Sequence, residues 1–347
     1  METEIVKSQI GSSSGRLSSS RRPLGPPARD LLNTVEGRRS AVARGQRGLD
    51  PRLALVIGVS SVSSASVLIK LSNAPAMVIA ANRLLIAAAI MSLVSLSSLL
   101  RSLEVVKELL PQLTASGAAL AIHFATWVTS LKYTSVAVSV VLVDSAPMFA
   151  AVLGWALLGD RMTVREAVGI ALGMLGAAAI VGEAWALTER DLVGAILALA
   201  GAVALAFYLV AGRALRRSLG TLPYAASVYG VSGLALAAGA LSMGSPLTGY
   251  PAREYAIFLA LALGPSCVGH TLYNYALKYV KAHVVSLAIL MEPIGATLLA
   301  WVVLGEVPSL RVVIGGGVLL AGVALAVTGS GQGEAPAPPS LTSPEPS

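Results

Sequence analysis

"LKYTSVAVSVVLVDSAPMFAAVLGWALLGDRMTVREAVG", Leu131 to Gly169, lies without a gap over "LKYVKAHVVSLAILMEPIGATLLAWVVLGEVPSLRVVIG", Leu277 to Gly315, at a constant offset of 146 residues. Pro147 meets Pro293, Trp155 meets Trp301, Gly159 and Asp160 meet Gly305 and Glu306, and Arg165 meets Arg311. The register runs on to Gly176 and Gly322. Convergence of unrelated apolar helices would not fix Trp, Pro, Arg and Gly together, so the chain carries an internal repeat.

Composition says what kind of repeat it is. Of 347 residues, 55% are apolar and 12% charged, against roughly 25% charged in a soluble domain. A helix that crosses a bilayer takes about 20 mostly apolar residues. From Leu53 onward ten such runs can be read: 53–71, 76–100, 112–131, 135–158, 163–182, 192–212, 222–243, 254–277, 282–304 and 309–328. The offset of 146 carries the third run onto the eighth, and five is an odd number of crossings, so the two halves face opposite ways. The expected fold is all-α and polytopic: ten transmembrane helices as two inverted five-helix repeats, over 52–183 and 190–328. Such repeats mark secondary transporters, whose substrate site lies near the midplane between the halves.

The net charge is +7, but ten of the 25 Lys and Arg residues precede Leu53. Without a folded basic face, the pattern argues against nucleic acid as a partner. Residues 1–51, rich in Ser, Gly, Arg and Pro, and the Pro/Ser-rich 329–347 are expected to be disordered cytoplasmic tails. No apolar region follows Arg21 and Arg22 before Leu53, so the pair does not read as a twin-arginine signal. With the N-terminus inside, the inner loops hold nine basic residues and the outer loops four. This bias predicts a multi-pass protein of the cell membrane, both termini cytoplasmic.

Cys267 is the single cysteine and reads as a small core residue. No metal-ligand spacing and no cofactor motif occurs, and the chain is not read as an enzyme: it has no HExxH, no nucleophile and His arrangement, and no P-loop. The expected partners are the lipid bilayer, a small-molecule substrate and protons. A passive facilitator or channel for small metabolites stays open as an alternative, as, more weakly, does an intramembrane enzyme.

Two five-helix halves, each with a Pro-containing helix, a Gly-acid joint (Gly159 with Asp160, Gly305 with Glu306) and a Gly-bearing last helix, resemble the EamA-type family of the drug/metabolite transporter superfamily. Pro75 followed by Arg83, and Glu292 with Pro293, are similar to recurrent positions of that family. The resemblance implies a secondary carrier of small organic metabolites. Asp144 departs from it, since the family usually has an uncharged residue there.

An ionisable side chain at the bilayer centre costs about 2.5 to 3.5 kcal/mol on insertion scales, so each one calls for a partner or a wet cavity. Lys70 closes the first run and can snorkel outward. Arg83 lies about 10 Å deep and either reaches the outer interface or pairs inward. Glu292 and Asp144 both lie about 15 Å deep, in the middle of the core. They are not symmetry mates, because Asp144 meets Leu290 and Glu292 meets Ala146. Either carboxylate is a candidate to handle substrate or a proton. Pro147 and Pro293 are expected to kink their helices at matching points, freeing the carbonyls of Val143 and Ile289. In the eighth run His270, Tyr273 and Asn274 share one face, as do His123 and Trp127 in the third. Together they offer imidazole, aromatic and amide groups to one interior, although a lone His is more often a satisfied core residue. Ser60, Ser61, Ser63 and Ser64 offer hydroxyls or close packing.

Overall fold

A computed structural model of the chain describes residues 49–158, 163–215, 218–276 and 288–330. Apart from residues 49–51 and 329–330, the two tails lie outside the described residues, as do Asp160, Lys278 and Lys281.

The first half comprises α1 (Pro51–Leu71), α2 (Ala76–Val94), the short α3 (Leu96–Arg101) and α4 (Leu103–Glu108), α5 (Leu110–Tyr133), α6 (Val136–Val143), α7 (Ala146–Leu158) and α8 (Val164–Leu187). The second comprises α9 (Glu189–Leu215), α10 (Thr221–Ser242), α11 (Ala252–Leu261), a π-helix (Ala262–Gly269), α12 (His270–Ala276), α13 (Glu292–Leu304) and α14 (Leu310–Ser330). The described residues contain helices and no strand. Among them six stretches are long and apolar enough to cross a membrane: Arg52–Leu71, Ala76–Val94, Val136–Ala156, Glu189–Gly212, Thr221–Ser242 and Ala252–Tyr273. Glu292–Leu304 and Leu310–Ala326 are shorter apolar helices.

Polar residues in the joints set the helix starts. Thr163 and Glu166 form a capping box at α8: Thr163 N–H donates to Glu166 Oε2 at 2.6 Å and Glu166 N–H to Thr163 Oγ1 at 3.2 Å. Asp191 N–H donates to Thr188 Oγ1 at 3.0 Å, which starts α9 after a single-residue joint. Gly305 ends α13 in the left-handed conformation, φ 70°, with Glu306 N–H reaching back to Ala300 O at 3.3 Å.

The fourth run is not one helix. It stops at Val143, turns through Asp144 and Ser145, and restarts at Ala146 with Pro147 in its second position, where no amide hydrogen is needed. In the other half, α13 starts at Glu292 with Pro293 in the same place, after a turn at Leu290 and Met291. The two starts are 146 residues apart.

The eighth run is interrupted too, by the π-helix with Pro265 inside it. Proline removes an amide donor and crowds the carbonyl one turn back, so the chain is locally rewound to wider hydrogen bonds.

The two halves pack reciprocally. A Cβ on Gly169 would lie 2.6 Å from Gly322 O, and one on Gly176 would lie 2.6 Å from Gly315 O. Gly315 is the repeat mate of Gly169 and Gly322 that of Gly176. Each glycine thus packs on the mate of the other, the pattern of a two-fold axis through the contact. It also makes α8 and α14 antiparallel, since higher numbers on one meet lower numbers on the other. Elsewhere α2 packs on α10, α9 on α5, and α1 on the π-helix, α12 and α13.

Candidate substrate site

Arg83, on α2, is 1% exposed, so its charge is carried inside the body. Its Nε donates to Ser266 Oγ at 2.8 Å. Ser266 in turn donates to Leu261 O at 3.2 Å across the π-helix, which fixes the hydroxyl as acceptor for Arg83. The guanidinium carbon lies 4.6 Å from the Phe124 ring centroid and 5.9 Å from that of Trp127. The aromatic faces on α5 therefore attract its charge, while Ser266 takes Nε.

α5 supplies the next layer. His123 stacks on Trp127 at 5.9 Å and meets Phe124 edge-on at 4.8 Å. His123 Nδ1 lies 3.0 Å from Gly201 O. A carbonyl only accepts, so Nδ1 carries the hydrogen and Nε2 is left as an acceptor in the neutral ring. Gly201 allows this approach of α9: a Cβ there would meet Thr126 Oγ1 at 3.0 Å.

Glu292 and Asp144, at 8% and 9% exposure, come from the two helix breaks. Glu292 is within electrostatic reach of Arg83, Asp144 and Tyr273, and Asp144 of Tyr273. Although the two acids are not symmetry mates, the fold brings them into one electrostatic neighbourhood. Glu292 O accepts from Ser63 Oγ at 3.3 Å, which anchors the start of α13 to α1. Tyr273 packs edge-on to His270 at 6.2 Å and over Gly58 of α1. The side chain of Asn274 lies outside the described residues.

Among the described residues, five buried side-chain polar atoms have no hydrogen-bond partner: Arg83 Nη1, Trp127 Nε1, Asp144 Oδ2, Ser232 Oγ and Tyr273 Oη. Buried polar atoms in folded proteins are nearly always satisfied, so an orphan requires a reason. Four of these five belong to residues that the sequence singles out as candidate site groups. Ser266, Phe124 and Tyr229, which also reaches Arg83 electrostatically, are not marked by sequence reasoning. A serine or an aromatic in an apolar run is ordinary; Pro265 in mid-run is the one signal beside them.

One end of the body is tied by charge. Lys70 Nζ pairs with Glu306 Oε1 at 2.8 Å, and Val136 N–H, at the start of α6, donates to Glu306 Oε2 at 2.8 Å. Lys70 thus pairs across to the other half instead of simply snorkelling. Lys132 Nζ donates to Ser72 O at 2.6 Å and Ile69 O at 3.1 Å, and Arg253 to Leu71 O at 2.9 Å, satisfying carbonyls at the end of α1. Glu254 accepts from Ser72 Oγ and from Asn73 N–H.

Known proteins share this chain's pattern. The family described as "EamA-like transporter family" matches residues 52–182 and 192–328. An "Uncharacterized transporter" of Archaeoglobus fulgidus is 28% identical over 206 residues, covering 58% of this chain and 71% of that one. A "Probable terminal-alkyne amino-acid exporter" of Streptantibioticus cattleyicolor is 29% identical over 187 residues, covering 53% of this chain and 61% of that one. A solved structure described only as "Crystal structure of protein" superposes with a TM-score of 0.57 at 20% identity, over 79% of this chain and 96% of its own, a likeness of fold.

Proposed function

The chain belongs to the EamA-like transporter family, of the drug/metabolite transporter kind, and from that premise we propose that it exports a small organic metabolite, such as an amino acid or a related compound, by alternating access. Ten transmembrane helices form two inverted five-helix repeats, each half running close to the matched segments, with both termini in the cytoplasm and the protein in the cell membrane. The substrate occupies a midplane cavity between the halves, with Arg83, His123, Trp127, Asp144, His270, Tyr273 and Glu292 as its candidate groups; the side chain of Asn274, also a candidate, lies outside the described residues. Protons exchange at Glu292 and Asp144; Glu292 is within electrostatic reach of Arg83, and both acids are within reach of Tyr273.

The observation that carries this reading is the group of orphaned polar atoms on Arg83, Trp127, Asp144 and Tyr273. Four buried groups without partners cost several kcal/mol in all, a cost explained by a ligand that they are shaped to meet. The antiparallel glycine crossing of α8 and α14 supports the inverted arrangement. The name of the Streptantibioticus relative supports an amino-acid cargo. Alternating access further asks that one end be shut while the other is open, and the Lys70–Glu306 tie supplies such a closure.

The test is reconstitution of the full chain in liposomes with a panel of labelled amino acids, sugars and nucleosides. At least one is expected to move with saturable kinetics, several-fold faster when protons are made to flow the opposite way, and Glu292→Gln should remove that acceleration. Flux that rises linearly with concentration would make the protein a channel. Flux unchanged by both the gradient and Glu292→Gln would sink the proton coupling.

A further inference from the structure

We infer that the cavity takes a zwitterion in one fixed polarity, the substrate's carboxylate on the free edge of Arg83 and its ammonium group on Glu292 and Asp144. This rests on the transporter reading above and names the chemistry of the same site.

Three observations lead there. The first is how Arg83 is held. Nε is engaged by Ser266, the guanidinium carbon lies over the Phe124 and Trp127 rings, and Nη1 has no partner. What remains unpaired is an edge of a planar fork, the geometry that matches a carboxylate lying in the same plane. The second is the spacing of charge. Glu292 is within electrostatic reach of Arg83, yet among the described residues Arg83 makes no ion pair within 4.0 Å. A buried cation and a buried anion that make no contact are two unmatched charges, which a ligand bearing the two opposite charges would match. The third is that Asp144 Oδ2 is unpartnered beside Glu292, so the negative end also has an acceptor to offer.

Other cargo classes fit less well. A sugar or nucleoside would leave the Arg83 charge buried and unpaired. A dianion would meet Glu292 and Asp144, and a cationic drug would meet Arg83. Only a ligand with both poles satisfies both ends.

The inference is tested on the wild-type chain with three compounds of one skeleton: L-propargylglycine, its carboxamide, and 4-pentynoic acid, which lacks the amine. L-Propargylglycine should stabilise the purified protein against heat and compete for uptake in liposomes. The carboxamide and the deaminated acid should each bind at least about tenfold more weakly, the scale of one lost charge-assisted hydrogen bond. Ser266→Ala should raise KM for the amino acid several-fold with kcat nearly unchanged and shrink its advantage over the carboxamide; a purely structural Ser266 would lower the melting temperature and leave that ratio alone. Arg83→Lys, which keeps the charge but not the fork, should lose the same preference. A carboxamide or deaminated acid handled as well as the amino acid overturns the inference. Saturable uptake of a sugar or nucleoside, and of no amino acid, overturns it while leaving the transporter reading standing. No saturable uptake and no stabilisation by any compound overturns both.

Discussion

Tyr273 and Ser232 are a matched pair of buried hydroxyls without partners, one facing the acids of the candidate site and one on α10. An unsatisfied buried hydroxyl costs about 1 to 3 kcal/mol, so deleting either should not harm the fold. Tyr273→Phe should hold or raise the melting temperature and yet reduce transport at least several-fold. Ser232→Ala should stabilise likewise and leave transport as it was. Thermal melts beside initial uptake rates will tell; a Tyr273→Phe protein that transports normally removes that hydroxyl from the site. Some of these residues are marked in the sequence and others are not, for a physical reason. Arg83, Asp144 and Glu292 stand out because a charge in an apolar run is costly and therefore conspicuous, and Trp127 and Tyr273 because the repeat register sets one over the other. Ser266 and Phe124 carry no such mark: what makes them matter is that Arg83, far away in sequence, packs between them.

At the scale of the helices, the apolar runs locate α1, α2 and α10 but not the points where the ladder of other runs is interrupted. Pro147 and Pro293 predict kinks within continuous helices, whereas each sits in the first turn of a helix that begins anew. Hydropathy is blind to this, because Val143 through Ala146 and Leu290 through Glu292 lie within runs whose average is apolar. The Gly-acid joint gains a reason: Gly305 ends α13 with a positive φ, and Glu306 follows as the acid that meets both Lys70 and the first amide of α6. The tight crossing of α8 and α14 makes a sharper demand. A Cβ on Gly176 would fall 2.5 Å from Leu319 N and 2.6 Å from Gly315 O, both backbone atoms that cannot rotate aside. Gly176→Ala should therefore cost about 1 to 3 kcal/mol through forced separation, more than the roughly 1 kcal/mol that alanine returns in helix propensity. Gly317→Ala on the same helix, with nothing within 4 Å, should be neutral or stabilising. Equal melting shifts in the two variants would mean that the crossing can accommodate a methyl group.

For the molecule as a whole, the tie at Lys70 and Glu306 and the single thiol at Cys267 can be read together. Cys267 follows Ser266 on the π-helix, is buried, and lies within electrostatic reach of Arg83, so it sits beside the candidate cavity. Lys70→Gln removes the 2.8 Å ion pair between the halves. It should let a membrane-impermeant maleimide, added from the tied end, label Cys267 several-fold faster, with mass spectrometry reading the adduct; an unchanged rate would show that the pair does not hold that end shut. The reciprocal glycine contact between α8 and α14 has a different bearing, on ancestry. An interface in which each partner presents the same two positions to the other is how two copies of one chain meet. A five-helix protein inserted into the membrane in both directions would already have possessed this contact as a homodimer, and fusion of the two genes would have cost it nothing. Two halves joined in this way would be free to diverge, and Glu292, which has Ala146 as its counterpart, is a place where they differ.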